Sequence, residues 1–316
     1  MSAGSKPLRI RVGFGFGGST RVGDLAGDQT TFAQIVDDLE RLGFDSLWVS
    51  ERATGMTLDP VVAMSFAAGR TERLKFGPAV MVLPGRNPVL CAKALASLDR
   101  VSNGRALPAF GLGIADAAEH QAFGVHRSER AAWFDEALPL IRRLWAEDSV
   151  DHHGDRFHLE GVEMLPKPTQ NPLEVWLGGQ ARSELRRCGR LGDGWLPSFI
   201  TPTGVADGIA IVDESATAAG RFIDRGHFGV LVPFVHETLP DRFAERLRSR
   251  QPGLDPRELV AHGIRGLAER LAEFVECGAS KFVVFPLDEP KGDGMGADAW
   301  HATIEELATE CLPLQT

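Results

Sequence analysis

Three tracts set chemistry-bearing residues beside glycine. The first, "RVGFGFGGSTRVGD" (residues 11–24), holds Gly13, Gly15 and Gly18 in the spacing G-x-G-x-x-G. That spacing cradles a pyrophosphate where a strand turns directly into a helix. Here the glycines alternate with Val12, Phe14 and Phe16, which is strand period, and helical spacing begins only near Thr30. The tract therefore reads as a glycine-rich strand. The second, "LGGQARSEL" (residues 177–185), sets Gly178 and Gly179 between a strand and a helix start, with Gln180 following. Backbone N–H groups and the helix dipole then face one point, as a phosphate requires. A tight turn that merely needs glycine explains the same residues. The third, "GLGIADAAE" (residues 111–119), leaves a strand through Gly111 and Gly113 and reaches the carboxylate of Asp116.

Other chemistries find less support. A zinc-dependent barrel hydrolase wants convergent histidine and carboxylate ligands at strand ends. The first strand offers no H-x-H, and the adjacent His152 and His153 lie in a polar loop beside Asp151 and Asp155. No metal is expected. A formal net charge of −9 argues against a nucleic-acid partner. No run approaches a membrane span, and "MSAGSKPLRI" has no apolar core of a signal peptide. Cys91, Cys188, Cys277 and Cys311 are scattered without metal spacing, which fits a reducing cytoplasm.

Behind these residues stands a regular alternation. Strand-like runs begin with "LRIRVGFGF", "DSLWVSE", "LKFGPAVMVL" and "RALPAFGLG" and continue with "LEVWLGG", "DGWLPSF", "FGVLVPFV" and "SKFVVFPL". Amphipathic stretches separate them. In "TTFAQIVDDLERLGF", Phe32, Ile35, Val36, Leu39 and Leu42 share one helical face, and Gly43 stops the helix. Asp59-Pro60 and Asn87-Pro88 open the next two helices as cap and first residue. Residues 150–172 interrupt the pattern as a hairpin with a proline-rich loop, and residues 240–277 read as one helical region.

Near-continuous apolar strands joined by helices mean a parallel sheet covered on its outer face. Eight such units fit an α/β fold, a (β/α)8 TIM barrel with an inserted segment after the fourth helix, occupying residues 8–312 as one domain. Glycines in its first strand leave room for bulky neighbours or a flat ligand overhead. In such barrels the active site lies at the C-terminal strand ends. That rule selects Ser50, Glu51 and Arg52, residues 79–87, residues 111–116, Gly178 to Gln180, residues 195–198, and His236.

The blocks "LERLGFDSLWVSE", "GPAVMVLPGRNPVLCAKALASLDRVSNGRALPAFGLG", "ERAAWFDEALPLIRRLWAED", "PKPTQNPLEVWLGG" and "RLGDGWLP" stand in the order found in the bacterial luciferase-like monooxygenase superfamily. The chain resembles that superfamily from residue 8 to residue 235, and more loosely to the end. Within it, the chain looks most like the branch that uses the deazaflavin coenzyme F420. The resemblance implies an oxidoreductase that transfers hydride between the deazaflavin and a small organic substrate, and it implies a homodimer. It also implies a non-proline cis peptide backing the flat ring, here between Ala79 and Val80 of "GPAV". A phosphate group would sit at Gly178, Gly179 and Gln180, with Asn87, Gly111 and Gly113 also near the cofactor. A deazaflavin reacts poorly with oxygen, so reduction or dehydrogenation is implied rather than oxygenation.

Two positions depart from the sugar-phosphate dehydrogenases of that branch. Those carry an Asp-His pair after strand two, where this chain has Glu51-Arg52, and a guanidinium cannot serve as general base. Asp116 stands by order where they carry a glutamate, and their lysine-rich sugar-phosphate clamp has no counterpart here. Glucose 6-phosphate is therefore not the expected substrate. Glu51 and Asp116 remain the candidate catalytic proton carriers. An ion pair with Arg52 or another arginine explains Glu51 equally, and an N-cap of "AAEHQAF" explains Asp116. Asn87 can likewise be a simple cap. Trp48, Trp176 and Trp195 read as packing residues more than ring partners, and His236 as a substrate contact or a loop histidine. The inserted residues 150–172 are expected to shape the substrate pocket. Two other readings stand beside the first: an FMN-dependent monooxygenase served by a separate flavin reductase, and a non-catalytic flavin-binding protein.

Overall fold

The computed structural model describes residues 8–17, 29–55, 57–288 and 297–316. Gly18, the third glycine of the opening motif, lies outside them. Eight strand positions close into a ring in chain order. Strands β1 (Arg11–Phe16), β2 (Ser46–Val49) and β3 (Lys75–Pro78) pair in parallel, and β4 (Met81–Val82) continues β3 after a bulge. Strand β4 pairs with β5 (Ala109–Gly111), and a bridge between Phe76 and Ala106 links β3 to the same run. The hairpin strands β6 (Val150–His153) and β7 (His158–Val162) pair only with each other, antiparallel and outside the ring. The ring resumes with β8 (Trp176–Leu177) and β9 (Gly194–Trp195), bridges to β10 (Gly229–Val235), and closes through β12 (Lys281–Pro286) onto β1.

The glycines of β1 are explained by what surrounds them. A Cβ on Gly13 would meet the Ser46 hydroxyl at 2.4 Å and the Trp48 indole nitrogen at 3.2 Å. One on Gly15 would meet the Phe285 ring at 2.4 Å. These two positions face the interior and cede it to larger neighbours. Val12, Phe14 and Phe16 alternate outward and are buried under the helical layer. Phe14 packs edge-on against Trp300, with ring centroids 6.0 Å apart, and Phe16 lies 4.9 Å from Phe32.

Capping follows the sequence closely. Asp59 accepts from the Val62 amide and Asn87 from the amides of Val89 and Leu90, each ahead of a first-turn proline. Residues 240–277 differ from the single helical region expected. They form helices Asp241–Arg250, Pro256–Leu259 and Gly263–Glu276, with a short strand β11 (Ala261–His262) pairing with β10. Asp255 caps the second of these helices at Pro256, and Gly263 takes a positive φ of 70° where β11 turns into the third. The hairpin expected in residues 150–172 is present, and the peptides before Pro166 and Pro172 are cis. Among the described residues no helix is long and apolar enough to cross a membrane.

The lower half of the barrel is sealed by a buried ion pair. Lys281, 1 % exposed, donates to the Asp45 carboxylate and to the Ser46 hydroxyl at 3.1 Å. Its ammonium lies 5.5 Å from the centre of the Trp48 ring. Burial pushes Lys281 down to about 8. Burial works in the opposite sense on Asp45, but the charges of Lys281 and Lys75 outweigh it and hold the carboxyl at about 2. Removing one partner leaves the other charge buried, so Asp45→Asn should cost about 3–5 kcal/mol. Asp45→Asn combined with Lys281→Met should recover much of that loss in chemical denaturation. Because Asp45 titrates lower in the folded chain than in the unfolded one, its contribution is present above about pH 4 and fades as pH falls toward 2. The double variant should lose that part of the acid dependence.

Candidate active site

The glycines and short side chains at the C-terminal strand ends leave a cavity of about 710 Å³. Its volume lies in the range of small-molecule and cofactor sites. Ala79 and Val80 follow β3, and the peptide between them is cis. Val80 drops between two glycines. A Cβ on Gly111 would meet Val80 Cγ2 at 2.5 Å, and one on Gly178 would meet Cγ1 at 3.0 Å. Together with Phe285 and Leu287, these residues give the cavity an apolar bed.

Glu51, at the exit of β2, stands in the wall with its side chain 6 % exposed. Its Oε2 accepts from the Val82 amide at 2.6 Å, and its Oε1 pairs with Arg86. The ion-pair alternative thus holds, with Arg86 rather than Arg52 as partner. Burial raises the Glu51 carboxyl above its ordinary value, and Arg86 and the Val82 amide offset this only in part.

Two further carboxylates do structural work around the cavity. Glu119 accepts from the amides of Ala53 and Thr54, at 3.1 and 3.0 Å, and pairs with Arg52 Nε at 3.2 Å. It ties the loop after β2 to helix Ala117–Phe123. Burial would raise Glu119, but the hydrogen bonds from Thr54, Ala53 and Arg52 outweigh it. Glu184 accepts from the amides of Gln180 at 3.0 Å and Ala181 at 2.9 Å. Arg130 gathers the carbonyls of Leu112, Gly113 and Ile114 within 3.1 Å and fixes the exit of β5.

Of the residues singled out in the sequence, Glu51, Ala79, Val80, Gly111, Gly113, Gly178 and Gly179 line the cavity. Asp116 does not. Its carboxylate caps helix Ala117–Phe123 through the Ala118 and Glu119 amides, because a short side chain just before a helix finds unpaired N–H groups there. Asn87 likewise is spent as a cap, on helix Pro88–Val101. Gln180 turns its amide to the carbonyls of Ser198 and Phe199, which joins the exits of β8 and β9. The strand-five turn is also less open to an anion than its glycines imply. The Gly178 amide bonds to Phe110 O at 3.1 Å within the barrel, and Glu184 already occupies two more.

Trp48, Trp176 and Trp195 are packing residues, each under 2 % exposed and none lining the cavity. His236 bonds to Asp288 at 2.9 Å and is also outside it, as are His152 and His153. The expectation that residues 150–172 shape the pocket is corrected, since none of them reaches it. That hairpin instead docks on helix Arg130–Ala146, where Glu136 receives the amides of Arg156 and Phe157.

The wall left open by the hairpin is filled by helix Asp241–Arg250, which supplies Phe243, Arg246, Leu247 and Arg250. These four residues recur at i, i+3, i+4 and i+7, so one face of the helix is both apolar and basic. That spacing in "DRFAERLRSR" was the available sequence signal. Phe243 lies 5.9 Å from Phe199, and Gln251 donates to Phe199 O at 2.8 Å, so the helix is tied to the exit of β9. The cavity therefore offers an apolar slot, the carboxylates of Glu51, Glu119 and Glu184, and a cationic side.

Known proteins share this arrangement of strands and helices. The chain is 30% identical over 200 residues to limonene 1,2-monooxygenase of Rhodococcus erythropolis, covering 61% of this chain and 51% of that protein. It is 30% identical over 174 residues to an F420-dependent glucose-6-phosphate dehydrogenase of Kineococcus radiotolerans, covering 52% and 51% respectively. The chain thus spans about half the length of these curated relatives. Its fold matches the oxygenating constituent of 3,6-diketocamphane monooxygenase from Pseudomonas putida, a type II Baeyer–Villiger monooxygenase solved with FMN. The TM-score is 0.73 at 19% identity, over 96% of this chain and 98% of that one. The sequence profile of the luciferase-like monooxygenases matches residues 14–276, from within β1 to the end of the helix that precedes β12, and the chain therefore belongs to the luciferase-like monooxygenase family.

Proposed function

We propose that this protein is an F420-dependent oxidoreductase that transfers hydride between a deazaflavin and a small organic substrate. The observation that carries the reading is the apolar bed made by Ala79 and Val80 over Gly111 and Gly178, with the buried Glu51 carboxyl in the same wall. Any side chain at Gly111 would displace Val80, so the bed depends on glycine there and has the flatness a ring system needs. The F420-dependent dehydrogenase among its relatives supports the choice of cofactor. A second reading, an FMN-dependent monooxygenase working with a separate flavin reductase, draws its support from the FMN complex of the diketocamphane enzyme.

The chain's own residues divide the work. Ala79, Val80, Gly111, Gly113, Gly178 and Gly179 hold the ring, and Gln180 braces the turn beneath it by reaching across to the β9 exit. When bound, the reduced cofactor supplies hydride to an electron-poor carbon, and the protein supplies position and charge. Glu51 holds the proton that balances that transfer. Burial keeps its carboxyl protonated to higher pH than usual, and the Val82 amide fixes the direction of Oε2. Arg52, engaged by Glu119, acts as a fixed charge rather than a base. Asp116 is engaged as the cap of helix Ala117–Phe123 and lies outside the cavity lining.

Fluorescence and absorbance titrations of the purified chain test the cofactor. F420 should bind at least tenfold more tightly than FMN, and the reverse order would transfer the assignment to the monooxygenase reading. Glu51→Gln keeps an acceptor for the Val82 amide but removes the proton, so kcat should fall by about 100-fold or more while cofactor affinity stays within about twofold. In the direction that needs a proton donor, activity of the parent chain should decline as pH rises through the raised Glu51 pKa. Glu51→Gln should lack that limb, and a Glu51→Gln variant with an unchanged pH profile would remove Glu51 from the reaction.

A further inference from the structure

We propose that Arg246 and Arg250, with Arg52 beside them, form an anion-binding rim that takes a phosphate or carboxylate group of the ligand entering the cavity. The proposal deepens the functional reading above and rests on it for the identity of the site. All three arginines line the cavity. Arg246 and Arg250 are four residues apart on one helix, so their side chains leave the same face. Among the described residues, no carboxylate lies within 4.0 Å of either guanidinium, whereas Arg52 is held at 3.2 Å by Glu119. Arg250 is lowered by burial and by the like charges of Arg246 and Arg52, so the three guanidiniums lie in one another's field, with Arg52 alone paired among them.

In a chain of net charge −9, like charges gathered against a cavity call for a partner. The acids that face this cavity are committed. Glu51 serves Arg86 and the Val82 amide, Glu119 serves Arg52 and two amides, and Glu184 closes the strand-five turn. An oxyanion has no equivalent welcome at that turn, where the Glu184 carboxylate would repel it. The arginine fork matches two oxygens of a phosphate or carboxylate at once. The apolar Phe243 and Leu247 on the same helix face would flank the carbon-bearing end of such a ligand.

The anion belongs either to the cofactor's tail or to the substrate, and the two are separable with the full chain and Arg246→Gln/Arg250→Gln. Both side chains are exposed, so the double variant should keep its unfolding midpoint, and Arg250→Lys supplies a charge-retaining control. FMN against riboflavin reads the phosphate on a common ring, and inorganic phosphate added to the F420-loaded protein reads a substrate anion. If the tail is held here, the parent chain should prefer FMN over riboflavin by tenfold or more, and the double variant should lose that preference. If the substrate is held here, the preference should be unchanged, while phosphate binding to the loaded protein weakens tenfold or more. Unchanged FMN preference together with unchanged phosphate binding in the double variant would overturn the rim. Absence of all ring binding in the parent chain, with phosphate binding that still depends on Arg246 and Arg250, would instead defeat the cofactor reading and leave the rim standing.

Discussion

The interior of this barrel is set by two side chains that are missing. Gly13 and Gly15 give up the inward positions of β1, and Trp48 and Phe285 take the space. Eight strands can close tightly around such a centre because side chains of unequal size interdigitate. Trp48 meets Trp176 edge-on with ring centroids 6.4 Å apart, and it covers the Lys281 ammonium below. The lower barrel is thereby packed solid. Phe285 lines the cavity above, so the glycine that admits it also fixes one surface of the candidate site.

Above that plug the same economy of volume recurs. Val80 is seated by Gly111 and Gly178 as Phe285 is seated by Gly15. Buried carboxylates then hold the loops. Glu51, Glu119 and Glu184 each accept backbone amides from a strand exit, at distances between 2.6 and 3.1 Å. Such bonds are stronger than neutral ones, and they orient the peptide as well as the side chain. Rigid loops around an open cavity are what a preorganised site requires.

Periodicity and capping made most of this framework legible. The strand runs are recognisable because each is short, apolar and followed by a turn residue or an amphipathic stretch, and all eight stand in the ring. Asp59 and Asn87 announce their helices through the proline that follows. The strand-end rule then reaches Glu51, Ala79, Val80 and the glycines. It fails at Asp116 because the rule names a place in the fold and not the direction of a side chain. A carboxylate one residue before a helix has amides to satisfy, and they claim it. The place of helix Asp241–Arg250 in the cavity wall was missed for a different reason. The helix belongs to no strand end, and its contribution arises from the turn at Phe199 and the bond from Gln251, which join segments 52 residues apart. The spacing of Phe243, Arg246, Leu247 and Arg250 marks one helix face, but nothing local says which cavity that face meets.

The helix also changes the electrostatics of the cavity in a way composition conceals. An acidic chain would be expected to repel anions at long range, yet exposed charges are screened beyond about 8–10 Å at physiological salt. What a ligand experiences inside is the local set. There Glu51 pairs with Arg86 and Glu119 with Arg52, while Arg246 and Arg250 have no carboxylate within 4.0 Å among the described residues. The cavity thus carries a cationic edge inside a chain of net charge −9. An apolar bed explains where a ring would lie but leaves its orientation free, since a flat apolar face has no preferred end. A cationic edge on one side removes that freedom, because only one end of an amphiphilic ligand gains from facing it. On the proposed reading, the orientation of a ligand relative to Glu51 depends on both features together.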